Sequence, residues 1–362
     1  GGDETVEVAD ADEAVLSLMG ALVKGGANEL AIEVVTADGG WPRPGPVLTC
    51  GVKAMLAEAD GTADGESADA LVLKAMDLLR AVSADGVLSL AGCADDMRRT
   101  MRRVWAAWNK RRMEGVKTAT VAAVGVPVCA EATAVLVRAL NAGATAGIMP
   151  DFTHPGALAG YIERHLVSRA SRVADLLVIP HAPHWPWLFR ALHSLWTRSD
   201  SLAVVSFGGG PAFDYTALAS VRMFAAPRLP LAAHIFDYEV QWEPFADAVA
   251  ARTADAFPVA GDGADSCTFA RCDITVGTSE AVNASVLPAV ALAGLVIVSF
   301  VVEENRVALR ARDYEFFRHA LAASPPGALW LFTETSHRQW PDIARVAREE
   351  CAARGIDAAV AV

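Results

Sequence analysis

Apolar positions recur every three or four residues through the first 150 residues of the chain. AVLSLMGALVKGG, LTCGVKAMLAEADG, ALVLKAMDLLRAVSADG, MRRTMRRVWAAWNKRRMEG and CAEATAVLVRALNAG each keep an apolar stripe at helical spacing. Most of them stop at glycine, which tolerates the left-handed conformation of a helix C-cap. No strand pattern competes, so an all-helical domain is expected over 1–150.

After about residue 150 the period changes. ADLLVIP reads as a short buried segment and HWPWLFRALHSLW as an amphipathic helix. Strand candidates follow in LAVVSF, LAAHIF, FARCDI, LAGLVIVSF and ALWLFTE, most of them leading into a turn or a helix-forming stretch. Strands alternating with helices imply right-handed crossovers and a mostly parallel, doubly wound α/β sheet with helices on both faces, placed over 151–362. Ligands of such sheets sit at the carboxyl ends of the strands. Ala281 to Val302 carries no charge, but Pro288, Gly294 and the β-branched run LVIVSFVV fit a helix end, a turn and a buried parallel strand better than a membrane span.

Composition narrows the partners. The chain has 362 residues, 53% of them hydrophobic, and a formal net charge of -12. Such a chain can bury a large core and is expected to be soluble. Its acidity argues against a mainly electrostatic grip on nucleic acid or an anionic membrane and favours a neutral or cationic partner. The six cysteines contain no CxxC pair, which points to buried thiols in a reducing compartment rather than a disulfide framework or a zinc site. The opening GGDETVEVADADEAV is acidic, unlike a secretory signal or a mitochondrial presequence.

The most informative stretch is VVSFGGGPAFD. Gly208, Gly209 and Gly210 stand where a buried strand must turn into a helix. Residues without a Cβ let backbone approach a ligand, and the following helix offers free N–H groups. A dinucleotide fingerprint requires a small residue where the bulky Phe213 stands, and a Walker loop requires a lysine that is missing.

The pattern that fits is acidic-x-Gly-x-Gly-x-Gly, read from Ser206 to Ala212 with serine in the acidic place and alanine in the last glycine's place. Here the chain resembles the class I, Rossmann-like S-adenosylmethionine-dependent methyltransferases. The resemblance covers roughly residues 155 to 362 and implies an S-adenosylmethionine site. Ser206, Gly208, Gly209 and Gly210 would form its turn, and Asp237 or Glu239 in HIFDYEVQW would hold the ribose hydroxyls. Asp273 in FARCDIT would take the adenine amino group with Ile274 beside it, and Ser299 and Phe300 would enter the active-site rim. PGALWLFTETSHRQWP looks like the fifth strand and its loop. The helix-then-ADG texture of the first 150 residues resembles armadillo-type repeats at unequal intervals, a surface suited to a protein partner.

Methyl transfer from a sulfonium is an in-line displacement that demands alignment, with a base only where the acceptor must lose a proton. Candidates for contact with the acceptor are Glu303, followed by Glu304 and Asn305 after the fourth strand, and His337 after the fifth. Capping by the carboxylates and a hydrogen-bonded loop role for the histidine are the alternatives. The acceptor itself, small molecule or protein, has no sequence signature: the Asn-Pro-Pro-aromatic motif is missing. His181 and His184 lack the partners of a metal site. The eight basic residues between Met97 and Lys117 flank a Met/Trp stripe and read either as a solvated face or as a docking face for an acidic partner or RNA. The rival to the enzyme is a non-catalytic assembly subunit retaining the fold, with Phe213, Trp242 or Phe300 packed into the cofactor's volume.

Overall fold

The computed structural model describes Met55 and residues 95–146, 150–178, 186–198, 200–334 and 337–360. The helical segments expected before residue 95, apart from the buried helical Met55, lie outside the described residues, as do His181 and His184. The chain divides into two compact units, Gly1–Asn109 and Lys110–Val362; the first helix below begins in the first unit, and the architecture from Lys110 onward is that of the second.

Helices α1 (Asp95–Val124), α2 (Ala130–Ala146), α3 (Pro155–Val178) and α4 (Pro186–Trp196) precede strand β1 (Leu202–Phe207). Then come α5 (Phe213–Ala225), β2 (Leu231–Asp237), α6 (Glu243–Ala256), β3 (Ser266–Arg271), α7 (Val286–Val290), β4 (Leu295–Ser299), α8 (Arg306–Ala311), α9 (Glu315–Ala323), β5 (Leu329–Thr333) and α10 (Trp340–Ala353). All strand pairs are parallel, in the order β3-β2-β1-β4-β5. The chain winds outward through β2 and β3, then returns to the far side of β1 with β4. That reversal opens a crevice between the carboxyl ends of β1 and β4.

The central strands are apolar because both faces are covered. β4 is buried at every position. On one face Val205, Phe207, Phe236, Val296 and Val298 meet Val286, Val290, Phe316, Phe317 and Val346 in one cluster. The opposite face presents Ser206, Ser299 and Thr333 beneath α5, which packs in turn on α3 and α6. A fully buried Arg222 ties α5 to Asp265 at 3.2 Å, and Asp265 also accepts from the Tyr215 hydroxyl and from the Leu231 amide that starts β2.

Two elements differ from their sequence expectation. Ala174–Val178 is the end of α3, not a separate segment. Leu158, Ile162, Leu166, Ala170, Val173, Ala174 and Leu177 line one buried face at spacings of three and four. Strand β3 begins at Ser266, three residues before the strand candidate FARCDI. It lies at the edge of the sheet, where its outward positions are wet and need no apolar side chain. The uncharged stretch from Ala281 resolves into a short turn, α7 and β4, and among the described residues no helix is long and apolar enough to cross a membrane.

Candidate functional site

The glycine turn closes directly on β1. Gly208 has φ 67° and donates to the Phe236 carbonyl at 2.8 Å. A Cβ there would lie 2.0 Å from Val301 Cγ1 and 2.8 Å from the Ser299 carbonyl, and one at Gly209 would lie 2.4 Å from Ser206 Oγ. Gly208 is thus a packing requirement where β1 meets β4, and Gly209 one where β1 meets β2, with Ile235 Cγ2 2.8 Å from its Cβ position. Gly210, φ 45°, is different: the nearest atoms to its Cβ position are Trp242 Nε1 at 3.8 Å and Asp237 Oδ2 at 3.9 Å, ordinary contact distances with no clash. Ala212, also at positive φ, accepts the first helical bond from Thr216.

Asp237 ends β2 against this turn. Its Oδ2 accepts the Gly210 amide at 2.9 Å and its Oδ1 the Glu239 amide at 3.1 Å. Burial pushes its carboxyl up to about 6, against the pull of those two N–H bonds. Glu239, two residues on, is also raised by burial, with Arg271 opposing. Beyond β3, Asp273 accepts the amide and hydroxyl of Thr275 and is fixed through its own backbone by Asn283.

Ser206 is fully buried, and its hydroxyl donates at 2.6 Å to Asp214 in the first turn of α5. Asp214 also receives the Ser299 hydroxyl, which in turn accepts from Thr333. A carboxylate thus stands beneath the glycine turn although the strand itself ends in serine. Burial raises its pKa, and the two serine hydroxyls oppose the shift.

On the β4 side, Phe300 adopts φ 60° and donates to the Thr333 carbonyl. Glu334 receives the amides of Val302 and Glu303 at 2.6 and 3.3 Å. Glu303 is buried and turned away, its carboxylate held by Arg306 and Gln339. Its neighbour Glu304 faces the crevice instead.

These elements surround a cavity of about 310 Å³. Gly208, Gly209, Gly210, Asp237, Glu239, Asp273, Ile274 and Ser299 all line it; Ser206 and Glu303 do not. The backbone of His337 opens a short turn, His337–Gln339, after β5. Sequence reasoning did not single out Asp214 or the wall from α3, where Tyr161 and Arg169 stand eight residues apart on one helix face. Trp242 packs edge-on to Phe152 and tilted to Tyr161, with centroids 5.6 and 5.3 Å apart. The Arg169 guanidinium lies 4.2 Å from the Phe300 ring centroid.

The lining holds five carboxylates, Asp214, Asp237, Glu239, Asp273 and Glu304, against the single guanidinium of Arg169. In their ionised forms these carboxylates repel phosphates and attract cations. Among the described residues no group of three or more His, Cys, Asp or Glu side chains is placed to hold a metal ion.

The sheet order, the glycine turn and the crevice define an α/β chain of Rossmann-like architecture. No family model, curated protein or solved structure matches it.

Proposed function

We propose that the cavity binds S-adenosylmethionine and that the chain is a methyltransferase. One observation carries the reading: the glycine turn after β1 and the carboxylate ending β2 meet at 2.9 Å over a cavity whose charged lining residues are carboxylates but for one arginine. A nicotinamide dinucleotide or a nucleoside triphosphate brings phosphates that this lining would repel, whereas the sulfonium cofactor carries a net positive charge. The residues suit it. Gly210 leaves room for close approach, and Glu239 and the spare lone pairs of Asp237 can accept ribose hydroxyls. Asp273 and Ile274 supply a polar and an apolar edge for a base. When bound, the cofactor supplies the electrophilic methyl group; the protein's part is to align the acceptor and exclude water.

The assembly-subunit alternative requires Phe213, Trp242 or Phe300 to fill the crevice. All three line the cavity with the space left open, which favours the enzyme. The test is calorimetric titration of the full chain with S-adenosylmethionine and S-adenosylhomocysteine. Saturable binding at micromolar ligand is expected, with none for NADH or ATP. Gly210→Asp is the matched variant. Aspartate tolerates positive φ, so the fold survives while a second carboxylate is set beside Asp237 and the cavity is filled. No heat from the parent, or unchanged binding by the variant, rejects the reading.

A further inference from the structure

Of the five carboxylates lining the cavity, three are already engaged by the protein. Asp214 holds two serine hydroxyls, Asp237 two amides, and Asp273 the amide and hydroxyl of Thr275. Glu239 and Glu304 remain, and neither side chain has a hydrogen-bonding partner among the described residues. They lie on opposite sides of the switch point. Glu239 follows β2, beside the strand ends that suit a nucleoside. Glu304 follows β4, where Tyr161, Arg169, Phe300 and Asn305 also line the wall.

The loop that carries Glu304 is braced. Phe300 is pinned to Thr333, the amides of Val302 and Glu303 to Glu334, the Asn305 side chain to the Val301 carbonyl, and the Glu303 carboxylate to Gln339 and Arg306. A carboxylate without a donor of its own, held on a fixed loop, is preorganised for a guest.

Resting on the cofactor assignment above, we propose that the methyl acceptor is an amine and that Glu304 receives it, binding its ammonium form and taking the proton that must leave before the nitrogen can attack. The charge around Glu304 supports this. Arg169 from α3 acts on it as an opposite charge, and Glu334 after β5 and Asp237 from β2 act as like charges, two carboxylates to one guanidinium. The ring face of Phe300 already attracts two guanidinium groups, Arg169 at 4.2 Å and Arg172 at 5.6 Å from its centroid, and Arg169 also lies 5.3 Å from the Tyr161 centroid, so these aromatic faces are cation-binding surfaces.

Burial and the neighbouring carboxylates push Glu304 up to about 8, within reach of an alkylammonium near 10. An alcohol's proton lies far beyond it. The proton passes from the ammonium to a Glu304 oxygen. The freed lone pair then forms the carbon–nitrogen bond as the carbon–sulfur bond breaks, with that bond's electron pair remaining on sulfur. The product leaves as a methylated ammonium, and Glu304 returns its proton to solvent.

The experiment is binding of benzylamine, phenethylamine and butylamine, each beside its alcohol counterpart, to the full chain saturated with S-adenosylhomocysteine. Titrations are run in two buffers of different ionisation enthalpy. At least one amine is expected to bind roughly tenfold or more tightly than its alcohol, the worth of a charge-assisted hydrogen bond. Proton release should accompany that binding. Glu304→Gln should remove the preference while holding S-adenosylhomocysteine within about threefold of the parent, which also reports an intact fold.

Equal binding of amines and alcohols, no binding of any amine, or an undiminished preference in Glu304→Gln each overturns the proposal. So does a variant that loses S-adenosylhomocysteine, since Glu304 then serves the cofactor. A parent that binds no S-adenosylhomocysteine rejects the cofactor reading itself and is thereby distinguished.

Discussion

Gly208 and Gly210 both hold positive φ, yet a methyl group added to each meets different surroundings. At Gly208 it collides with Val301 and with the Ser299 carbonyl, which belongs to a buried strand and cannot move aside. The left-handed conformation adds its own cost, so Gly208→Ala should lose about 2–4 kcal/mol. At Gly210 only the conformational cost applies, about 1 kcal/mol, and the methyl points into the cavity. Urea unfolding of both variants separates the two cases; equal losses would show that the β1–β4 junction is looser than described. Asp237, which ends β2, and Asp273, just beyond β3, were legible because an acidic residue following a strand candidate is a local pattern. Asp214 was not, since its partners Ser206 and Ser299 lie eight and 85 residues away in sequence. Nor could spacing tell which of two adjacent glutamates turns inward. That depends on the φ of 60° at Phe300 and on Glu334 capturing two amides from across the sheet.

At the scale of elements, Asp214 joins three of them: it sits on α5 and holds hydroxyls from β1 and β4. Asp214→Ala leaves both hydroxyls buried without their acceptor and should cost about 2–4 kcal/mol. Asp214→Asn keeps an acceptor and the volume, and should cost about 1 kcal/mol. Ser206→Ala in the Asp214→Ala background should add far less than it does alone, because the two share one interaction. Thermal or urea denaturation of the four-member cycle measures this, and strict additivity would show that the carboxylate and the hydroxyl act independently. The same elements differ in legibility for a physical reason. β1 and β4 are covered on both faces and so read as continuous apolar runs. β3, at the edge, opens with Ser266, Cys267 and Thr268, whose mixed exposure hides its first residues from a hydrophobicity pattern. In α3 the apolar stripe is plain over its whole length, but the apolar run Leu176–Val178 at its end reads in isolation as a separate buried segment.

For the molecule as a whole, the net charge of -12 and the acidic cavity couple folding, proton binding and ligand binding. Burial pushes Asp237 up to about 6 and Glu304 up to about 8, whereas in the unfolded chain such groups release their protons near pH 4. Between pH 5 and pH 8 the folded ligand-free chain therefore holds protons that the unfolded chain has lost. The stability these groups contribute is fully present below their unfolded pKa values and is lost as pH rises through 6 and then 8. A cationic ligand prefers the ionised carboxylates, so its binding drives proton release and its affinity rises over the same window. The melting temperature of the ligand-free chain should fall from pH 5 to pH 8, while the increase produced by saturating S-adenosylmethionine should be larger at pH 8 than at pH 6. S-adenosylhomocysteine lacks the sulfonium charge, so its increase should depend less on pH. In Glu304→Gln the upper part of the window should vanish and the part near pH 6, set by Asp237, should remain. Melting curves at pH 5, 6, 7 and 8 with each ligand check all four statements, and an S-adenosylmethionine increment independent of pH would remove the pairing of cation with carboxylates on which both the cofactor and the acceptor assignments depend.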